Sequence, residues 1–284
     1  MTEPESSTAP PSSSTLRWSG MTHKGNYRPN NEDAFLALAF DGREPRYLGR
    51  FGEAALEGSD FVFAVSDGMG GAKSGEFASR IAVEKLTRLL PRSFRSGARH
   101  MEAGFEDLVV ELFHEIHQEM TRQARFYEEC EDMGATLTLG WFMPGQCWIG
   151  HVGDSRAYYL PKGGELSQIT KDDTHVGYLR RKGELNERQA RTHPRKNVLQ
   201  KALGGGHLYV DPQVALVKTS PGDRFLFCTD GIIDGLWDQR IGEMLAEPPP
   251  DALPKDQAER MIKEALEGRG RDNLTALAVE ISGS

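Results

Sequence analysis

The chain has 284 residues, of which 38% are hydrophobic and 27% charged, an ordinary composition for a globular protein with a full core. Its net charge of −8 argues against nucleic acid as a general partner, because phosphate backbones require a basic surface. No apolar run approaches membrane-spanning length, and the first residues lack the basic and apolar regions of a signal peptide. Three widely spaced cysteines, Cys130, Cys147 and Cys228, predict reduced core thiols. We therefore predict a cytoplasmic protein without a membrane partner.

The N-terminal part begins with a polar tail. Residues 1–15 are rich in Ser, Thr and Pro and almost free of large apolar side chains, which predicts disorder. Further on, R-P-N-N-E-D-A-F-L (28–36) places Glu32 and Asp33 at the entrance to an apolar stretch. A charged pair is usually a solvated turn, so this segment alone indicates no function. Residues 41–59 have no clear period and are predicted to form a loop.

Residues 61–71 contain the strongest local pattern. The sequence F-V-F-A-V-S-D-G-M-G-G predicts a buried strand that ends at Asp67 and runs into glycines. A carboxylate fixed at a strand end, beside glycines that let the backbone approach a ligand, is suited to gripping a hard cation. A strand-to-helix turn capped by Asp67 is the plainer alternative, and this segment alone favours it.

Two amphipathic helices are predicted next. Apolar residues at helical spacing indicate one helix from about 75 to 90, which ends before Pro91, and a longer helix over 105–120. His114 and His117 on the second helix have a spacing that suits a metal. No third ligand is near them in the sequence, so a solvated helix surface is favoured.

A series of short strands follows, over 136–142, 147–152, 155–160 and 166–170. Their short connections predict antiparallel hairpins. The turn at 153–156 then places Asp154 at a sheet end, and a Gly-Asp hairpin turn without any further role is the alternative.

Residues 171–201 differ in character from the rest of the chain. They contain nine Lys or Arg against four Asp or Glu and few large apolar residues, with short helices predicted over 174–181 and 186–191. Such a segment cannot build a core, so we predict a flap that lies over the body. Its basic charge would attract an anionic substrate, and a merely solvated face is equally compatible.

The last third returns to alternating strands and helices. Residues 223–228 predict a second buried strand, which ends in Asp230 and Gly231. Helices are predicted over 236–245 and 257–266. Asp272 and Asn273 then precede a last strand over 274–281.

The acidic residues of these segments lie at strand ends, which meet along one edge when sheets pack face to face. Carboxylates crowded there need cations to neutralise them. All-oxygen ligands favour Mg²⁺ or Mn²⁺, and two such ions about 4 Å apart activate a bridging water for attack on phosphorus. Arg28, close to Glu32, is suited to hold the phosphate, with a plain surface arginine as the alternative.

Eight short motifs occur in order along the chain. They are R-P-N-N-E-D-A (28–34), V-S-D-G-M-G-G (65–71), G-A-T-L (134–137), H-V-G-D-S-R (151–156), T-K-D-D-T (170–174), H-P-R-K-N-V-L-Q-K-A-L-G (193–204), C-T-D-G (228–231) and R-D-N-L-T (271–275). Each is weak alone. Together, from Trp18 to Ile281, they resemble the metal-dependent serine/threonine protein phosphatases of type 2C, the PPM family, in its bacterial form.

The resemblance implies an α+β fold, an αββα sandwich of two antiparallel β-sheets flanked by helices. A single phosphatase domain would cover residues 16–284 and carry the flap at about 171–201. The implied metal ligands are Glu32 (through water), Asp67, the Gly68 carbonyl, Asp154, Asp230 and Asp272. Asp67 would bridge two Mg²⁺ or Mn²⁺ ions, and Asp154 would serve a weaker third site. Asp33 and Asn273 would support these ligands, and Arg28 would bind the substrate phosphate.

The predicted activity is hydrolysis of phosphoserine and phosphothreonine in proteins by a hydroxide that the two metals share, without a phosphorylated enzyme. Met69 stands where many eukaryotic relatives have a proton-donating His, so water would have to protonate the leaving alcohol. The predicted partners are phosphorylated proteins and a cognate serine/threonine kinase, with the enzyme a monomer. Two alternatives are a catalytically silent, phosphoprotein-binding pseudophosphatase and a two-metal phosphoesterase acting on small molecules. The intact acidic residues argue against the silent form.

Overall fold

The computed structural model of the chain describes residues 14–41, 44–95, 102–127, 130–246 and 253–283. The strands are β1 (Ser14–His23), β2 (Asp33–Phe40), β3 (Pro45–Tyr47), β4 (Phe51–Ala55), β5 (Asp60–Met69), β6 (Gly134–Ala135), β7 (Leu137–Met143), β8 (Gln146–Val152), β9 (Arg156–Leu160), β10 (Ser167–Gln168), β11 (Leu203–Gly204), β12 (Gln213–Lys218), β13 (Arg224–Cys228) and β14 (Leu274–Gly283). The helices are α1 (Ala72–Arg95), α2 (Glu102–Phe126), α3 (His175–Arg181), α4 (Glu187–Thr192), α5 (Asp230–Gly235), α6 (Asp238–Ala246) and α7 (Gln257–Gly268). None of the described helices has the length and apolar character that crossing a membrane requires.

The strands form two antiparallel sheets. The smaller sheet has the order β10-β9-β13-β14-β1-β4. In the larger sheet, β5 is central: β7, β8 and β12 follow on one side, β2 and then β3 lie on the other, and β6 and β11 extend from its C-terminal end. The predicted pair of antiparallel sheets is therefore confirmed.

Alternation along β5 explains how two of the apolar layers arise. Phe61, Phe63 and Val65 belong to the core between the two sheets, whereas Val62 and Ala64 belong to the core between the larger sheet and its helices. A strand buried on both faces needs apolar residues at successive positions, which is why its sequence reads as a continuous apolar run.

Helices cover the outer face of each sheet. Helices α1 and α2 pack on the larger sheet, where Phe113 and Ile116 of α2 are fully buried. Helices α5, α6 and α7 pack on the smaller sheet, where Ile262 and Ala265 of α7 are fully buried. These layers complete the predicted αββα sandwich.

The connection between β8 and β9 differs from the prediction. Strand β8 pairs with β7 and β12 in the larger sheet, whereas β9 pairs with β10 and β13 in the smaller one. Residues 153–156 therefore cross from one sheet to the other and do not form a hairpin turn. A short connection permits either a hairpin or a crossover between sheets. The pairing of β8 with β12 and of β9 with β13 decides for the crossover. The crossover places Asp154 between the ends of the two sheets.

Three element boundaries also differ from the prediction. Ser14 and Thr15 belong to β1, so the predicted tail is shortened, and its residues 1–13 lie outside the described part of the chain. The predicted loop over 41–59 contains the edge strands β3 and β4. Helix α1 continues past Pro91, although this residue offers no N–H to the carbonyl of Thr87.

Candidate active site

An open cavity of about 390 Å³ lies where strands of both sheets end. Its walls contain nearly all of the residues singled out from the sequence, which come from well-separated segments. These residues are Arg28, Glu32, Asp67, Gly68, Asp154, Asp230, Asp272 and Asn273. The exception is Asp33, which lies behind the wall. The cavity therefore brings together an acidic cluster that the linear sequence disperses.

Asp33 and Asp67 are cross-strand neighbours. They lie directly opposite each other in the pairing of β2 with β5, an arrangement that disfavours two like charges. Asp33 is only 7% exposed, and its Oδ2 accepts hydrogen bonds from the hydroxyls of Thr229 (2.8 Å) and Thr275 (2.7 Å). Its Oδ1 is buried without a hydrogen-bond partner. The two hydroxyls fix this carboxylate behind that of Asp67.

Gly68 is required by the close approach of the surrounding backbone. A Cβ at Gly68 would lie 1.9 Å from the carbonyl oxygen of Gly75, and a Cβ at Gly75 would lie 2.4 Å from Oε2 of Glu32. The Gly68 N–H also donates to the Glu32 carbonyl at 3.1 Å. The two glycines thus let the Glu32 carboxylate and the Gly68 carbonyl approach each other, which forms a cradle of oxygen atoms.

Asn273 joins two walls of the cavity. Its backbone N–H donates to Oδ1 of Asp272 at 2.9 Å. Its side-chain amide donates to the carbonyls of Lys24 (2.8 Å) and Asn30 (2.9 Å), and its Oδ1 accepts from the N–H of Glu32 at 2.8 Å. All of these bonds tie Asp272 to the loop before β2, so Asn273 positions other groups and faces no reacting atom itself.

Asp154 and Asp230 lie on the side of the cavity nearest the flap. Asp230 begins α5, and its Oδ1 is buried without a hydrogen-bond partner. Both residues also line a second, smaller cavity of about 60 Å³ beneath α3 and α4. They are therefore shared between the main cavity and the space under the flap.

The electrostatics of the cavity favour a cation. Desolvation, followed by repulsion from neighbouring carboxylates, raises the pKa of Asp154 to about 7 and that of Asp67 well above its ordinary value. Desolvation and the charge of Asp154 likewise raise the pKa of Asp230. Arg28 contributes one positive charge by donating to Oδ2 of Asp272 at 2.8 Å. That guanidinium offsets only part of the negative charge.

The oxygen donors fit hard divalent cations, although they do not form a complete ligand set in this arrangement. Among the described residues, no three carboxylate, imidazole or thiolate groups converge closely enough to enclose an ion. The unpartnered Oδ1 of Asp230 and the oxygen cradle around Gly68 nevertheless supply free lone pairs of the type that Mg²⁺ and Mn²⁺ prefer. Oδ2 of Asp272 accepts a hydrogen bond from Arg28. Asp272 would therefore have to exchange this contact before the oxygen ligands could close around an ion.

Metal affinity should depend steeply on pH. Carboxylates bind a cation in their ionised form, so the raised pKa values of Asp67 and Asp230, and that of Asp154 at about 7, mean that protons would compete with a metal as the pH falls. We expect Mn²⁺ affinity, measured by isothermal titration calorimetry, to fall at least about tenfold from pH 8 to pH 6, with protons released on binding. Equal affinity at both pH values would contradict the raised pKa values.

Three of the nine basic side chains of the flap have a different use from the one predicted. Arg180 pairs with Asp238 at 2.5 Å, and Lys196 pairs with Asp234. Arg191 lies over the ring of Trp237 and bonds to backbone carbonyls of the α5 segment. These cations anchor the flap to the body, so neither a free anion-attracting surface nor a merely solvated face describes them.

Thr136, Asn197 and Leu199 are among the cavity residues that were not singled out from the sequence. Asn197 and Leu199 extend from the flap, and Thr136 precedes β7. The hydroxyls of Thr136 and Ser155 share a hydrogen bond of 2.7 Å. Oγ1 of Thr136 also accepts a hydrogen bond from the N–H of Asp67 at 3.0 Å. Two of the quoted motifs, at 134–137 and 193–204, contain these residues, but nothing in their chemistry indicates a role.

The histidines of α2 differ from the favoured interpretation. His117 is buried, with 6% of its surface exposed, and its Nδ1 accepts from the N–H of Gly204 at 3.1 Å. His114 donates from Nε2 to the carbonyl of Val210 at 3.0 Å. The solvated-surface interpretation is therefore wrong for His117, and both side chains hold the loop that follows β11.

Comparison with known proteins gives the family. The family described as Protein phosphatase 2C matches residues 50–267. The chain belongs to this family. The serine/threonine phosphatase Stp of Listeria monocytogenes (serovar 1/2a, strain EGD-e) is 34% identical over 261 residues, which are 91% of this chain and 93% of Stp. The match confirms the predicted family.

Two further similarities extend the comparison. The serine/threonine protein phosphatase PstP of Mycobacterium tuberculosis (strain H37Rv) is 32% identical over 269 residues, which are 94% of this chain and 45% of PstP. The chain thus spans about half the length of that curated relative. The solved catalytic domain of PstP in complex with two manganese ions has a TM-score of 0.73 and 30% identity, covering 95% of this chain and 99% of that domain. This likeness confirms the predicted fold.

Proposed function

We propose that this chain hydrolyses phosphoserine and phosphothreonine in proteins at a centre of two Mg²⁺ or Mn²⁺ ions. The observation that carries the proposal is the convergence of Asp67, Asp230 and Asp272 on one cavity whose negative charge Arg28 only partly offsets. Membership of a phosphatase family and the likeness to a two-manganese phosphatase domain support it.

Each residue singled out from the sequence has a role in the proposed centre. The ligands would be Glu32 (through water), Asp67, the Gly68 carbonyl, Asp230 and Asp272, with Asp154 and Asp230 serving a weaker third ion. When bound, the cations lower the pKa of a shared water and neutralise phosphate oxygens. Asp33 supports Asp67 from behind, and Asn273 fixes Asp272 against the loop of Glu32.

Two further cavity residues, Arg28 and Met69, bear on how the phosphate is bound and on where the leaving alcohol obtains its proton. Arg28 lies at the cavity wall, where its planar guanidinium can bind phosphate in a bidentate manner once it exchanges the contact with Asp272. Met69 lines the cavity but has no proton to donate. The leaving alcohol of the serine or threonine must therefore take its proton from water in this open site.

The test is release of inorganic phosphate from a phosphothreonine peptide in Mn²⁺ and in EDTA. We expect turnover in Mn²⁺ and none in EDTA. Treatment of the folded protein with a thiol-alkylating reagent should leave turnover unchanged, because Cys130, Cys147 and Cys228 are buried and outside the cavity. Loss of activity on alkylation would instead indicate a cysteine-dependent reaction.

The same assay separates the remaining alternatives. A folded, Mn²⁺-loaded protein that binds the phosphopeptide without turnover would be a pseudophosphatase. Faster turnover of nucleotides than of phosphopeptides would indicate a small-molecule phosphoesterase. The proposed partners are phosphorylated proteins and the serine/threonine kinase that makes them, with a monomeric enzyme of one domain acting in the cytoplasm.

A further inference from the structure

An exposed apolar patch lies on the far side of the catalytic cavity's Met69 wall. At the end of α2, Phe126 is 73% and Tyr127 57% exposed, and after β11, Leu208 is 96% and Tyr209 80% exposed. Phe126 and Leu208 line one open groove of about 660 Å³. Contiguous large apolar residues at a surface mark sites that bind another molecule.

The loop that carries half of this patch is fixed at both ends. The N–H of Gly204 donates to Nδ1 of His117, and the carbonyl of Val210 accepts from Nε2 of His114, both histidines belonging to α2. Because these bonds hold the loop on either side of Leu208 and Tyr209, the two side chains are displayed to solvent from an anchored frame.

The floor of the groove is bare backbone. Gly204, Gly205 and Gly206 have φ values of 68°, 57° and 72°, a left-handed conformation that favours glycine at all three positions. All three line the groove together with Phe126 and Leu208, and Arg125, Glu131 and His207 add polar groups to its walls.

Met69 and Gly205 lie between this groove and the catalytic cavity. Met69 lines the cavity, and its Cε lies 2.7 Å from where a Cβ of Gly134 would be and 3.0 Å from that of Gly205, which lines the groove. Asp67 precedes Met69 by two positions on β5, a span of about 7 Å along a strand. Because the groove lies next to the cavity, an extended substrate chain, at about 3.3 Å per residue, needs only a few residues to pass from one to the other.

We propose that this groove binds one apolar side chain of the phosphoprotein substrate, located two to four residues from the phosphorylated serine or threonine. The proposal rests on the proposed phosphatase function. A protein chain that enters the cavity continues beyond its phosphorylated residue, and the Met69 wall leads it directly to an apolar surface. The substrate class is thus phosphoproteins with an apolar residue close to the phosphorylated one.

The test uses paired phosphothreonine peptides of 11 residues. Each pair has either Leu or Ser at one position from −4 to +4, in an otherwise constant background of small polar residues. For the wild type we expect Leu to raise kcat/KM about 5–10-fold at one or two positions that lie two to four residues from the phosphothreonine. The double variant F126S/L208S should lose that preference.

The control variant is Leu253→Ser. Leu253 is also exposed, but it lies beside the turn at 254–256 that packs on β1 of the smaller sheet, whereas α2 packs on the larger one. This variant should keep the full preference for Leu. Hydrolysis of p-nitrophenyl phosphate, which is too small to reach the groove, should be equal in the wild type and in both variants.

Each other outcome overturns the proposal. Equal kcat/KM for every Leu and Ser pair, or a preference for Leu that survives in F126S/L208S, would show that the groove does not bind an apolar side chain of the substrate. A change in oligomeric state of that variant with an unchanged peptide preference would assign the patch to a second copy of the chain. If the proposed phosphatase function itself is wrong, the folded, Mn²⁺-loaded wild type hydrolyses nothing. Turnover of p-nitrophenyl phosphate by the wild type therefore distinguishes failure of the groove proposal from failure of the phosphatase function.

Discussion

Replacing Asp67 by Asn should abolish phosphate release while leaving the protein folded. The side chain lies among Asp33, Asp154 and Asp230, and its proposed role as the bridge between two cations requires a negative charge. Even residues that only orient metal ligands cost about 10–100-fold in activity when they are lost, so the loss of the bridge should exceed about 100-fold. The measurement is the initial rate of phosphate release from a phosphothreonine peptide at saturating Mn²⁺.

Stability separates loss of the centre from loss of the fold in this variant. In EDTA, Asp67→Asn should be at least as stable to urea as the wild type, because it removes one of several mutually repelling carboxylates. Added Mn²⁺ should stabilise the wild type, and this gain should shrink in the variant because binding to the folded state is weakened. Asp211→Asn, at an exposed residue paired with Lys201, is the matched control and should behave as the wild type. Wild-type rates in Asp67→Asn would show that the centre does not depend on this carboxylate.

The sequence predicts the centre of this fold well because its signals there are local. Strand β5 is buried on both faces, so its apolar run, which stops before Asp67, is visible without knowledge of its partners, although the strand itself continues to Met69. The same holds for β13, which ends before Asp230. Acidic residues at such ends are forced together by the packing of two sheets, and the cavity confirms that they line one space.

Features that depend on distant partners could not be predicted. Strand β4 is a short edge strand with exposed residues, and only its pairing with β1 distinguishes it from a loop. The crossover at 153–156 looks like a hairpin turn until β8 pairs with β12 and β9 with β13. Burial of His117 depends on the loop at Gly204, which is 87 residues away in the chain.

Charge in the flap gives a further example of a non-local partner. The composition of residues 171–201 indicates a basic surface, but Arg180 and Lys196 find Asp238 and Asp234, which lie beyond the segment itself. Composition gives the number of charges and not their pairing. The residues that reach the cavity, Asn197 and Leu199, are uncharged and carry no chemical signal.

Arg156 is the cation at the middle of the network that joins flap and body. Its guanidinium is buried and donates to both carboxylate oxygens of Asp172, at 2.9 and 2.7 Å, and to the Tyr158 hydroxyl at 2.7 Å. That hydroxyl donates to Asp238 at 2.7 Å, and Arg180 of the flap donates to the other oxygen of Asp238. Burial, the largest single effect, would raise the pKa of Asp172, but the charge and hydrogen bonds of Arg156, together with the hydrogen bond from Gln168, hold the pKa below its ordinary value.

Arg156→Ala should therefore be strongly destabilising. It leaves Asp172 buried without its cation, and breaking a buried pair in this way costs about 3–5 kcal/mol in the free energy of unfolding. Urea unfolding in EDTA at pH 7 measures this loss without any contribution from bound metal. Arg17→Ala is the matched control, because its pair with Glu53 has the same short distance of 2.8 Å but is exposed, which predicts a loss below about 1 kcal/mol.

The double variant R156A/D172A tests the cause of the destabilisation. If the penalty arises from an uncompensated buried carboxylate, then removing Asp172 as well should recover a substantial part of the stability lost in Arg156→Ala. Because neither Arg156 nor Asp172 is among the proposed metal ligands, the double variant should still bind Mn²⁺, while contacts to Asp238, Asp234 and the α5 segment continue to hold its flap. A loss in Arg156→Ala no larger than that in Arg17→Ala would mean that this buried network does not hold the flap in place.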